Sequence, residues 1–113
     1  MSKTGIELIE ITQEMHEVSK RIDKASKEIF KLAKNKAHFE QTYREALAKE
    51  IIQLRSEGVQ ATLISDLARG KVAYLKYERD LSQDLFKSAI SALEAIKTQA
   101  SVLQSISKYH EIL

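Results

Sequence analysis

The chain has 113 residues, no cysteine, no proline, no tryptophan and a formal net charge of +2. That length fits one domain. Without thiols a disulfide framework and a thiolate metal site are excluded, and so small a net charge does not by itself imply nucleic acid.

Only Gly5, Gly58 and Gly70 punctuate the chain. Proline breaks helix interiors and glycine weakens them. An uninterrupted helix is therefore expected from about Thr4 to Glu57. Along it, Leu8, Ile11, Met15, Val18, Ile22, Ala25, Ile29 and Leu32 recur at alternating steps of three and four. This is the heptad seam of a coiled coil. Lys36 interrupts the seam, Phe39, Tyr43 and Ala46 resume it, and the stripe then drifts to Leu47, Ile51 and Leu54. A helix of roughly 50 residues extends about 75–80 Å, more than a compact globule of this length encloses. The expectation is that residues 4–34 project as a coiled-coil arm. Leu8, Ile11, Met15, Val18, Ile22, Ile29 and Leu32 are then the interface of a homo-oligomer.

Charge along this helix is segregated. Residues 1–17 carry a net −3 and residues 18–38 a net +5. Two arms packed antiparallel about residues 18–22 would set each acidic block against the partner's basic block. Within the basic block, Lys20, Lys24, Lys27, Lys31 and Lys34 step by four, three, four and three. They share one helix face, which His38 extends. Such a row can follow a phosphate backbone with salt-dependent affinity. It is equally the solvated outer face of a coiled coil. No aromatic is interleaved to stack bases.

Gly58 suits a left-handed helix stop. Thr62 then reads as the N-cap of a short helix, Leu63 to Arg69, which Gly70 ends in turn. Residues 58–70 form this connector, with Val59, Leu63, Ile64 and Leu67 on its apolar face. Arg69, Lys71, Lys76 and Arg79, with Tyr74 and Tyr77 among them, make a mixture typical of binding surfaces. Arg69 and Lys71 join the lysine row as candidate nucleic-acid contacts.

The return helix places Leu85, Ala89, Ala92, Ile96, Leu103, Ile106 and Leu113 on one seam, with Gln99 and His110 as its polar positions. Phe86, Ile90, Leu93 and Ala100 lie beside it. A third line is small: Ser88, Ser91, Ala95, Thr98, Val102 and Ser105. A helix so sparsely charged over so wide an arc is expected to be covered on more than one side. Residues 35–57 and 71–113 are expected to form the hairpin itself.

Chemistry is harder to find. No catalytic triad, nucleotide loop or zinc pattern is present. His16, His38 and His110 lack suitably spaced ligand partners. Asp80 and Asp84 lie one turn apart and could hold a hard cation, but Lys76 and Arg79 are placed to pair with them instead. Neither an enzyme activity nor a cofactor nor a small-molecule substrate is expected. No apolar run approaches a membrane span, and the N-terminus lacks the apolar core of a secretory signal. A cytoplasmic location is the resulting expectation.

Several segments carry a resemblance. They are Asn35-Lys36-Ala37-His38-Phe39-Glu40, Tyr43-Arg44-Glu45-Ala46-Leu47-Ala48, Glu57-Gly58, Thr62-Leu63-Ile64, Asp66-Leu67-Ala68-Arg69-Gly70 and Leu103-Gln104-Ser105-Ile106-Ser107-Lys108-Tyr109. Over residues 35–109 the chain resembles small uncharacterised helical proteins of bacteriophages and prophages of Gram-positive bacteria. Such proteins are often encoded near early replication and recombination genes. The resemblance implies an accessory role in phage DNA metabolism, with DNA or a recombination or replication protein as partner. It transfers no active-site residue. Small secreted WxG-type hairpin proteins are similar in size but carry Trp-x-Gly at the turn, where this chain reads Ala-Arg-Gly.

The expected fold is all-α: a long helix, a short connector helix and a long return helix in a hairpin that self-associates as a coiled coil. The expected function is that of a non-catalytic oligomeric binding protein in phage or prophage DNA metabolism. The alternative is a protein-only interaction module, such as an inhibitor of a host factor or an assembly scaffold.

Overall fold

A computed structural model describes the backbone of Ser2–Ile112 and the side chains of residues 7–111. Leu113, assigned above to the return-helix seam, lies outside the described residues. The chain is all-α. Helix α1 spans Ser2–Ser56, α2 spans Ala61–Lys71 and α3 spans Ala73–Ile112. This long–short–long order makes a helical hairpin, and no strand occurs among the described residues.

Gly58 stops α1, and the backbone shows why. Its φ is +78°, a left-handed conformation that glycine adopts without steric cost. The Val59 N–H donates to the Leu54 carbonyl and the Gly58 N–H to the Arg55 carbonyl, both at 3.1 Å. These two bonds define a Schellman motif, which satisfies carbonyls left over at the helix end. Its usual apolar contact is present as well, because Val59 packs against the cluster containing Leu54.

Two details of the connector differ from the sequence expectation. Helix α2 begins at Ala61, after Gln60, with no side-chain cap bond, so Thr62 sits in the first turn and is not the N-cap. The Schellman contact of Val59 fixes the chain's exit early enough for the helix to start there. Gly70 does not end α2. It lies inside the helix, and Gly58 is the only described residue with positive φ. One glycine costs a helix only about 1 kcal/mol, and the Ala68 carbonyl still finds the Val72 N–H at 3.2 Å. The break falls instead at buried Val72, with φ −107° and ψ 18°.

The chain divides into two compact units, Lys31–Lys87 and Met1–Phe30 together with Ser88–Leu113. In the first, Leu54, Ile64 and Ala68 form the core, flanked by Leu47, Ile51 and Val59. Ala68 is fully buried, and its small side chain lets α2 sit close on α1. Farther along, Arg79 of α3 lies over the Tyr43 ring at 4.4 Å from the centroid. Its Nε is also 3.6 Å from the Glu40 carboxylate, which accepts a bond from Gln83 Nε2 at 3.4 Å. Lys36, the polar interruption of the seam, lays its Nζ over the Phe86 ring at 5.0 Å. A charge on the seam is thus accommodated by an aromatic face.

In the second unit α1 contributes residues 2–30 and α3 residues 88–112. Val18 is buried to 3% exposure and Leu103 to 7%. Arg21 Nη1 donates to Gln99 Oε1 at 3.3 Å, and His110 Nε2 approaches Glu7 Oε2 at 4.0 Å. The arm expected to project is therefore paired with the return helix of its own chain. Leu8, Ile11, Met15, Ile22 and Ile29 are half-buried on the same seam as buried Val18, and Leu32, also half-buried, belongs to the other unit. In this unit only α3 can cover the seam residues of α1. The seam that motivated an oligomer interface is largely satisfied within the hairpin.

Candidate functional site

Two helices and a short third leave many apolar side chains uncovered. In the Lys31–Lys87 unit four of them line one groove. Tyr74, Tyr77, Leu81 and Leu85 of α3 step by three, four and four, so they share a face. Tyr74 is 71% exposed and Leu85 48%. Leu32 and Phe39 of α1 border them. Together they line an open groove of about 300 Å³. Asn35, Glu78 and buried Ser82 supply its polar atoms. Exposed contiguous apolar surface of this kind marks an interaction site.

The groove has one acidic anchor. Glu78 is half-buried and accepts a hydrogen bond from the Tyr74 phenol. That bond, and next the carboxylate charge, raise the Tyr74 pKa above its ordinary 10.0. Both act in the same sense, since ionising the phenol loses the donated bond and sets two negative charges together. Tyr74 is thus expected to ionise at higher pH than an ordinary tyrosine. Glu78→Gln is expected to lower its titration midpoint toward the ordinary value, read by tyrosinate absorbance against a Tyr74→Phe control. An unchanged midpoint would place Glu78 away from the phenol.

Lys71, Lys76 and Arg79 of the connector's basic group are engaged within the chain. Lys71 lies 3.5 Å from Glu50. Asp80 accepts bonds from Lys76 at 3.0 Å and from Arg79 at 3.1 and 2.9 Å. These donors, Lys76 first, hold the Asp80 carboxyl below its ordinary pKa. Asp80 thus pairs with cations of its own helix. Among the described residues no three His, Asp or Glu side chains form a group that could hold a metal ion.

The candidate nucleic-acid residues fall in both units. Lys20, Lys24 and Lys27 are exposed on α1 in the unit with residues 1–30, and Lys31 and Lys34 are exposed on α1 in the other. Lys20 lies 3.5 Å from Glu17 and Lys27 3.2 Å from Asp23. Exposed pairs of this kind are worth little and exchange readily with solvent. Arg69 is exposed on α2. The structure leaves these cations on the surface without gathering them around an aromatic platform.

Sequence reading singled out Tyr74 and Tyr77 but passed over Leu81, and it assigned Leu32 and Phe39 to the seam. The three–four–four spacing from Tyr74 to Leu85 was the available signal. It was masked by the adjacent, longer seam through Leu85 and Leu103. Among the described residues no helix is long and apolar enough to cross a membrane. No protein-family model, curated protein or solved structure matches this chain.

Proposed function

We propose that the chain is a non-catalytic helical binding protein that docks an amphipathic helix of a partner protein in the groove of the Lys31–Lys87 unit. The observation that carries this reading is the exposed apolar row Tyr74, Tyr77, Leu81 and Leu85 beside Leu32 and Phe39. Helices that fill such grooves present anchors at i, i+3, i+4 and i+7. Charge selects further, because the Glu78 carboxylate in the groove calls for a lysine or arginine on the partner helix. A small helical scaffold of this kind suits an inhibitor of another protein or an assembly adaptor.

A second reading is an accessory factor in phage or prophage DNA metabolism. It rests on the resemblance over residues 35–109 and on exposed Lys24, Lys27 and Lys31. One experiment separates the two readings. The chain and two variants, Leu81→Glu with Leu85→Glu and Lys24→Glu with Lys27→Glu and Lys31→Glu, are used to capture partners with and without nuclease. Protein docking predicts partners that survive nuclease and are lost with the leucine variant alone. DNA binding predicts loss with nuclease and with the lysine variant, together with a flattened salt dependence of binding. Partners that survive nuclease and are retained by the leucine variant would reject the groove.

A further inference from the structure

We propose that the unit formed by residues 1–30 and 88–113 binds a second copy of this chain, face to face and antiparallel. This surface is separate from the groove and goes beyond the function proposed above. Two lines of exposed residues define it. On α1, Glu10, Glu14, Glu17, Arg21, Lys24 and Glu28 step by four, three, four, three and four, just beside the seam. On α3, Ala92, Ala95, Gln99, Val102, Ile106 and Tyr109 step by three, four, three, four and three, with no charge among them. All twelve are exposed. The bond from Arg21 to Gln99 ties one line to the other, so both lie on the same side of the helix pair.

The occupant follows from what each line requires. A two-fold axis lying in the face and crossing both helices sets α1 antiparallel on α1 of the copy, and α3 antiparallel on α3. Centred between Glu17 and Arg21, it opposes Glu17 to Arg21 and Glu14 to Lys24 of the copy. Centred between Gln99 and Val102, it opposes Ala95 to Ile106 and Ala92 to Tyr109. Charge and size are then complementary in one register: acids meet bases on the flank, and large side chains sit over alanines in the dry line. Glu10 against Glu28 is the like-charge pair in this register. Parallel stacking would instead set acid on acid and Tyr109 on Tyr109.

The two centres were located independently, yet they coincide. Starting from the Arg21–Gln99 bond, the α1 centre lies two residues toward the N-terminus, about 3 Å. The α3 centre lies one and a half residues toward the C-terminus, about 2 Å. In an antiparallel pair these are the same direction. A single two-fold therefore satisfies both lines, which a partner unrelated in sequence would match only if it repeated this pattern.

The test is the molar mass by sedimentation equilibrium, from submicromolar to submillimolar protein. Wild type is expected at twice the chain mass of 12.9 kDa at the higher concentrations. Glu14→Lys with Glu17→Lys makes the line uniformly basic between residues 14 and 24. Arg21→Glu with Lys24→Glu makes it uniformly acidic. Each alone is expected to weaken the dimer at least about tenfold, and the two mixed in equal amounts to restore it, because every opposed pair between residues 14 and 24 is then complementary. Ala95→Glu, on an exposed helix position, is expected to give monomer with wild-type helicity by circular dichroism. A wild type that stays monomeric throughout would overturn the proposal and leave the groove reading intact. A dimer unmoved by the charge variants and by Ala95→Glu would overturn it too, since another face would hold the copies together.

Discussion

Replacing Leu54 by alanine is expected to destabilise the Lys31–Lys87 unit by about 2–5 kcal/mol, the range for buried Leu→Ala changes that leave a cavity. Leu54 is 3% exposed and shares its cluster with Ile64 and Ala68. This cluster is where α2 meets α1, and no large side chain nearby is more fully buried. Val59, whose N–H closes the helix end on the Leu54 carbonyl, packs against the cluster that contains the Leu54 side chain, so the side chain supports the turn as well as filling the core. Small domains are held by only a few kcal/mol net, so the loss should be large in a urea titration followed by helicity. Ile52→Ala is the control, because Ile52 lies on the same helix but is exposed. Equal midpoints for the two variants would show that the cluster is not the core of the unit.

The two connector glycines are expected to respond to alanine with opposite signs. At Gly58 an added Cβ meets nothing within 4 Å, but the φ of +78° is one that L residues rarely adopt. Gly58→Ala should therefore cost about 1–2 kcal/mol. At Gly70 the Cβ also meets nothing within 4 Å, and the residue is helical. Gly70→Ala should contribute about 1 kcal/mol of stability through helix propensity and a less flexible unfolded chain. The double variant should fall between the two. Urea midpoints of the three variants against wild type measure this directly. Two losses of similar size would mean that Gly70 is a second helix stop after all.

These glycines also show where the sequence was legible. The missing prolines and the alternating three–four steps were sufficient for three helices in long–short–long order. Gly58 was readable as a stop because Val59, the residue after it, supplies the apolar contact a Schellman motif needs. Gly70 looked similar, but a glycine stops a helix only when the backbone after it has somewhere else to go. Here the carbonyl of Ala68 continues its bonding to Val72. The turn was therefore set by burial of Val72, which spacing alone does not reveal.

The fate of residues 4–34 was misread for a different reason. Lys36 on the seam suggested a boundary between hairpin and arm. Phe86 supplies the face that accommodates its charge, a contact between residues fifty positions apart in sequence. Chain length held the better clue. Helix α3 has 40 residues and extends about 60 Å, enough to follow α1 well past Lys36. The groove was only partly legible, because Tyr74 and Tyr77 stand out by type whereas Leu32 and Phe39 reach it from another helix. The lysine row was fully legible as spacing, and its exposure is what spacing predicts for a solvated helix face.

Within the unit of residues 1–30 and 88–113, α3 closes the seam of α1 around Val18. Amide hydrogen exchange of residues 15–29 over a dilution series tests this most directly. If α3 of the same chain covers Val18 and its neighbours, the protection of this segment stays constant on dilution to concentrations at which any dimer has dissociated. Protection that disappears together with the dimer would instead show an arm ordered only between chains.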